Sequence, residues 1–342
     1  MPAKSDNHDW LARHQEATLE PGLPICDAHH HLWTYRENRG SLRYGLEEYA
    51  EDLNSGHNIV STVFIQCGAE YREGGPKEMR PVGETEFIAG VAAESASGRH
   101  GPTRVASAII GFADLRLGAA IGDVLDAHVD AGTGLFRGVR CGATYDDSDI
   151  IGNSSWGAPE HLLLDPGYRD GAKELDRRGL IFEGWCYHTQ MAEMIGLARA
   201  LPDLSIVVDH AGGPLGDGPY AGRRAEILED WKASMAELAA CENVVVKLGG
   251  LNMKANGFAW EKRPDPPTGE ELLEAARPYF EFLIERFGIE RCMFESNFPV
   301  DKQSCGYNEL WNSYKRLATN YSAGDKAALF HDTATRVYRV EA

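Results

Sequence analysis

The sequence predicts an α/β fold, a (β/α)8 barrel, and three observations lead there. Eight short apolar runs rich in Val, Ile and Phe alternate with segments of helical spacing, at a period of roughly 30 to 40 residues. No GxGxxG or GxxxxGK[ST] loop opens a helix, which argues against an open doubly wound sheet built for a nucleotide cofactor. Polar and charged residues gather at the C-terminal ends of the apolar runs, where a barrel of parallel strands carries its chemistry. The 342 residues suffice for one such unit, expected as a single domain over 1–342 with an arm at 1–21 and the barrel at about 22–340.

In chain order, the arm holds an amphipathic piece with Trp10, Leu11 and Ala17 among charges. Strand one is expected at 24–29, after Pro21 and Pro24, and the polar, Tyr/Arg-rich stretch 32–58 reads as a long loop. Strand two at 59–66 is rich in β-branched residues. A loop with Gly74-Gly75-Pro76 and Pro81 then leads to a helix at 84–97, where Phe87, Ile88, Val91 and Ala92 have helical spacing. Strand three (105–110), a helix (121–131) and a short strand four (136–140) follow, then a polar loop over 141–165. A helix at 166–178 begins on Pro166 and ends at Gly179, the expected asymmetry of helix termini. Next come strand five (180–186), a helix (191–200), strand six (204–209), a glycine-rich stretch, and a helix (224–240). Strand seven (244–248), a Pro/Gly-rich loop (252–269), a long helix (270–287) and strand eight (291–295) precede two closing helices at 308–319 and 323–338.

A formal net charge of −18 repels polyanions, so neither nucleic acid nor an anionic membrane is an expected partner; a small-molecule substrate is. Homo-oligomerisation is left open. Seven scattered cysteines, odd in number and without a CxxC, point to reduced thiols in the cytoplasm. There is no apolar leader and no apolar run of about 18 residues.

The chemistry-bearing stretch is Cys26-Asp27-Ala28-His29-His30-His31-Leu32-Trp33. In an extended chain side chains alternate, so His29 and His31 share a face and can share one metal ion or one substrate, whereas His30 points away. Strand four ends in Arg140, either a carboxylate-binding guanidinium or half of a rim salt bridge. Strand five carries Glu183, which must be paired or protonated inside a barrel, with Trp185, Tyr187 and His188 beyond it. Strand six ends in Asp209-His210, strand seven in Lys247-Leu248-Gly249-Gly250, and strand eight runs into Glu295, Asn297 and Asp301. Five strand ends thus deliver polar groups to one rim.

These motifs resemble the amidohydrolase superfamily, in the branch that includes the sugar-acid lactonases and the 2-pyrone-4,6-dicarboxylate lactonase, over about residues 22–340. The carriers are Asp27–Trp33, Arg137-Gly138-Val139-Arg140, Val208–Pro214, Val246–Leu251 and Met293–Val300. The resemblance implies site histidines at strands one, five and six, here His29, His31, His188 and His210, and a strand-eight aspartate at position 297. This chain departs there: where the family has Ser-Asp-Trp-Pro, it has Ser296-Asn297-Phe298-Pro299. An amide cannot act as the base, so Glu295, its pKa raised by burial, is expected to take that role, with Asp301 as the other carboxylate. The implied activity is hydrolysis of a lactone or similar ester of a carboxylated, anionic small molecule. Arg140 and Lys247 would hold the substrate carboxylate, Trp33 and Tyr187 would contact the substrate, and His188 and His210 would orient the carbonyl or move protons. One divalent ion, zinc or manganese, is expected to be weakly held by His29, His31 and His188, with no nucleotide cofactor. The alternatives are a nonoxidative decarboxylase or C–C lyase acting on an aromatic acid, and a non-catalytic ligand-binding barrel.

Overall fold

A computed structural model describes residues 7–34 and 43–341; the first six residues of the expected arm and part of the loop at 32–58 lie outside them. Eight strands pair in parallel in sequence order: β1 Pro24–His30, β2 Asn58–Ile65, β3 Arg104–Gly111, β4 Phe136–Val139, β5 Ile181–Gly184, β6 Ile206–Val208, β7 Val244–Leu248 and β8 Cys292–Phe294. The ring closes just beyond β8, where the Asn297 amide donates to the His29 carbonyl (2.9 Å) and the His31 amide to the Phe298 carbonyl (2.8 Å). The expected (β/α)8 barrel is therefore the observed one.

The helices are α1 His8–Leu11, α2 Leu46–Leu53, α3 Val82–Ser95, α4 Gly122–Ala131, α5 Pro166–Arg177, α6 Met191–Ala200, α7 Arg224–Ala239, α8 Gly269–Phe287, α9 Tyr307–Leu317, α10 Ala323–Ala327 and α11 Thr333–Tyr338. Local chemistry explains their ends. Asp165 caps α5 by accepting from the Tyr168 amide (2.8 Å), with Pro166 at the first helical position. Thr268 and Glu271 form a reciprocal capping box on α8.

Two expectations need correction. The stretch read as a loop at 32–58 contains α2, whose Leu46, Tyr49, Ala50 and Leu53 are buried at i, i+3, i+4, i+7 spacing. Eight residues set among Tyr, Glu and Gly carry too little of that period to stand out. The helix expected at 323–338 is three pieces, because Ala328–Asp332 forms a π-helical turn between α10 and α11.

Alternate residues of the strands fill the barrel: Cys26 and Ala28, Val63 and Ile65, Ala108 and Ile110, then Ile181, Val207, Val245 and Met293. Ala334 and Tyr338 of α11 pack against this set. β1 does not alternate throughout. Asp27 pairs with Thr62 and His30 with Phe64, so β1 has one extra residue there, a bulge. The bulge brings His29 to the same side as Ala28 and turns His30 outward, where it stacks on Tyr49 (4.5 Å) and bonds Thr62 (2.8 Å). The arm is pinned to α9: the Leu19 amide donates to Asn312 (2.9 Å), and Lys315 donates to the Leu19 and Glu20 carbonyls (2.9 Å each). No helix among the described residues is long and apolar enough to cross a membrane.

Candidate active site

The strand ends converge on His29. Its Nδ1 lies 2.8 Å from Glu295 Oε2 and 3.4 Å from Asp209 Oδ1, and Lys247 Nζ is 3.2 Å away. Its Nε2 lies 3.2 Å from His31 Nε2 and 3.3 Å from Arg140 Nη1. Arg140 also donates to Asp209 Oδ2 (3.2 Å) and to the Gln66 carbonyl. His31 Nδ1 donates to the Ile65 carbonyl (2.8 Å). Glu295 takes His210 as well: Oε1 accepts from Nδ1 (2.7 Å) and from the His210 backbone amide (3.1 Å).

That double grip explains the local backbone. His210, Ala211 and Asn297 all have positive φ, at 54°, 52° and 54°, a conformation that costs a non-glycine residue about 1–3 kcal/mol and persists only where its surroundings enforce it. The Gly249-Gly250 pair beside them is steric in origin: a Cβ on Gly249 would collide with Glu295, and one on Gly250 with the His210 ring. Asp27 was absent from the expected site. Its carboxylate accepts from Ser296 Oγ (2.6 Å), the Ser296 amide (2.8 Å), Tyr49 (2.8 Å) and Tyr307 (3.0 Å), tying β1 to the end of β8. Its signal in the sequence was an acidic residue inside an apolar strand.

Burial would raise the Glu295 carboxyl, but His210 and His29 outweigh it and hold the group below the usual carboxylate range. This overturns the expectation of a base with a raised pKa at Glu295. Depth alone suggested desolvation, and the two imidazoles that reverse its effect come from other strands. Burial lowers His29 to about 4, with Lys247 adding to the effect, so its ring is neutral. Asp209 is pulled well down by Lys247 and His29 against its burial, whereas burial leaves Glu183 well up despite Lys247. Of the two carboxyls expected as the base, Asp301 is the one whose pKa rises: burial lifts it to about 7, opposed by His210 and by hydrogen bonds from Asn297 Nδ2 (2.9 Å) and the Asn252 amide (3.2 Å).

The remaining expected residues are dispersed. His188 stands apart. β5 ends at Gly184, and the chain turns at Tyr187 into a short 3-10 helix, so the His188 amide donates to the Gly213 carbonyl (3.0 Å) and its ring faces Tyr220 (5.6 Å). It belongs to neither group of residues able to hold a metal. Tyr187 donates to the Gly152 carbonyl and reaches the cluster only through Trp185, whose ring lies edge-on to His210 at 4.6 Å. Trp33 packs toward Tyr44 (6.2 Å). Lys247 is not presented to a substrate: it is fully buried, donates to Glu183, and lies 3.2 Å from Asp209 and 3.9 Å from Glu295.

The residues do fit a divalent ion. Two imidazoles on one zinc, with bonds of about 2.0–2.1 Å at near-tetrahedral angles, place their nitrogens roughly 3.3 Å apart; the His29 and His31 Nε2 atoms are 3.2 Å apart. With Nδ1 of each ring directed at an acceptor, Nε2 is left as the ligand atom, the usual outer-shell arrangement of metal-binding histidines. Two further buried groups of three share His29 on its Nδ1 side: His29, His210 and Glu295, and His29, Glu183 and Asp209.

Comparison with known proteins agrees with this reading. A family model described as Amidohydrolase matches residues 26–340. Over 336 residues the chain is 32% identical to Uncharacterized protein y4mH of Sinorhizobium fredii, covering 93% of this chain and 99% of that one. It is 26% identical over 321 residues to L-fucono-1,5-lactonase of Burkholderia multivorans, covering 93% and 96%. The crystal structure of an amidohydrolase from Burkholderia multivorans with bound zinc matches with a TM-score of 0.70 at 24% identity, over 93% of this chain and 99% of that one. With a family match that spans nearly the whole barrel and histidines gathered at its mouth, this chain belongs to the amidohydrolase family and is a hydrolase of that family.

Proposed function

We propose that this hydrolase opens a lactone ring on a small molecule that carries a carboxylate. The observation that carries the reading is Arg140. Its Nη atoms engage Asp209, His29 and the Gln66 carbonyl, while its Nε–H, buried beside the two imidazoles, has no acceptor among the described residues. A buried guanidinium N–H left unpaired is costly, and a ligand oxygen relieves that cost. The sugar-acid lactonase among the relatives supports a cyclic ester as that ligand.

In the proposed mechanism Arg140 fixes the substrate's anionic end. Asp301, poised at about 7, takes the proton of the attacking water. The acyl C–O bond of the ring breaks, and the proton held by Asp301 passes to the departing alkoxide, while His210, oriented through Nδ1–H by Glu295, presents Nε2 as a hydrogen-bond acceptor. His29 and His31 would hold a divalent ion through their Nε2 atoms, and when bound such an ion would supply Lewis acidity to an ester carbonyl. The ion is weakly held here because Arg140 and Lys247 already balance Asp209 and Glu295, and Glu183 is pushed toward its neutral form. Seven buried cysteines fit a reducing cytoplasm, and the net charge fits a small substrate rather than a polyanion.

The test is a screen of carboxylated and uncarboxylated lactones with a pH indicator, with and without zinc or manganese. Proton release on a lactone, lost in Arg140→Met, is the expected result. Silence on every lactone together with carbon dioxide release from an aromatic acid would refute the assignment.

A further inference from the structure

We propose that Lys247 is a resident cation standing in one of the two metal-capable groups, so that the barrel mouth takes one divalent ion and never two. The two groups share His29. Lys247 Nζ touches every member of the second: 3.2 Å from His29 Nδ1, 3.2 Å from Asp209 Oδ1, and donating to Glu183 Oε1. It also approaches Glu295 Oε2 at 3.9 Å. A single ammonium thus neutralises the carboxylates that a second ion would need, and it occupies the space between them.

The lysine is built into that place. Its neighbours on β7, Val246 and Leu248, are paired in the sheet with Cys292 and Phe294, and Lys247 itself is paired with Met293. The residue is fully buried, with the Tyr338 ring 5.4 Å from Nζ. Tyr338 in turn donates to Glu183 Oε2 (2.8 Å), which holds the carboxylate toward the ammonium. The ammonium is therefore shielded from water and held by these carboxylates. The Nε2 atoms of His29 and His31 face away from this cluster, on the Arg140 side, so an ion held there would take the place of the Arg140 Nη1 contact and lie apart from Lys247. The inference does not depend on which ester the enzyme opens.

The experiment is a manganese titration of chelator-treated protein, with free Mn²⁺ read by electron paramagnetic resonance and the melting temperature followed in parallel. Wild type is expected to bind no more than one ion per chain. Lys247→Met, which leaves Glu183, Asp209 and Glu295 without their cation, is expected to bind one more than wild type, with a larger rise in Tm on adding manganese. Lys247→Arg, which keeps the charge, is expected to match wild type. Two ions per wild-type chain would overturn the proposal, as would a folded Lys247→Met, checked by circular dichroism, that binds no more than wild type. Should Lys247→Met fold only with manganese, the count in the refolded protein decides on the same terms. Should it not fold at all, the wild-type count decides alone. Lactone turnover is measured separately, so failure of the lactonase assignment leaves this count untouched.

Discussion

Replacing Asp301 with an asparagine separates two effects that point in opposite directions. Burial lifts the Asp301 pKa from the ordinary 3.8 to about 7. The folded protein therefore holds a proton that the unfolded chain releases across that range, and stability falls as pH rises through it. With a single site and those two values, the contribution lost between pH 5 and pH 8 is about 2.6 kcal/mol, the part of a total of about 4 kcal/mol that lies in the window. An amide at this position cannot ionise. Asp301→Asn should therefore gain roughly 2–3 kcal/mol on wild type between pH 5 and pH 8, whatever fixed cost the amide brings beside the Asn252 N–H. The assay is urea denaturation of both proteins at the two pH values, so that all other titrating groups cancel. In the same variant lactone hydrolysis should collapse, and the wild-type kcat/KM should rise with pH to a plateau above about 7. A stability difference that does not change with pH would refute the reasoning, because it would mean Asp301 is already ionised at pH 5.

Arg140→Met should lower kcat/KM for a carboxylated lactone by roughly 10²-fold, the loss of a charged hydrogen bond worth about 3 kcal/mol; an unchanged value would confine Arg140 to its Asp209 salt bridge. Glu295→Gln should destabilise the fold by about 1.5–3 kcal/mol, as weakening buried hydrogen bonds to a charged group does, since the carboxylate holds both His29 and His210; a change in Tm of less than a degree or two would contradict that role. Asn297→Asp replaces the amide that donates to Asp301 with a second acid, so the acid limb of the pH–rate profile should move upward, by about one pH unit or more. A limb that stays in place would uncouple the two positions.

Much of this protein is legible in one dimension. The alternation of β-branched runs with helical spacing fixes the parallel barrel, because parallel strands need a crossover each and a crossover of that length is a helix. Helix ends such as Asp165-Pro166 are equally local. The HxH of β1 and the polar residues ending β4 to β8 could be read as one rim, since strand ends in a barrel have only one place to go. What α2 and the broken C-terminal helix required was tertiary: each is too short, or too interrupted, for its period to rise above its neighbours.

The electrostatics of the site were decided wholly by the third dimension. Sequence depth made Glu295 a desolvated acid and left Asp301 as the other carboxylate; packing reversed them, because His29 and His210 arrive at Glu295 while Asp301 is sealed beside two amides. The bulge that aims His29, the exclusion of His188 by a turn after β5, and the carboxylates that enclose Lys247 likewise come from residues far apart in the chain. Residue type and period are local properties and the sequence determines them by itself. Which charge faces which is a sum over neighbours from every strand, and only the closed barrel supplies those neighbours.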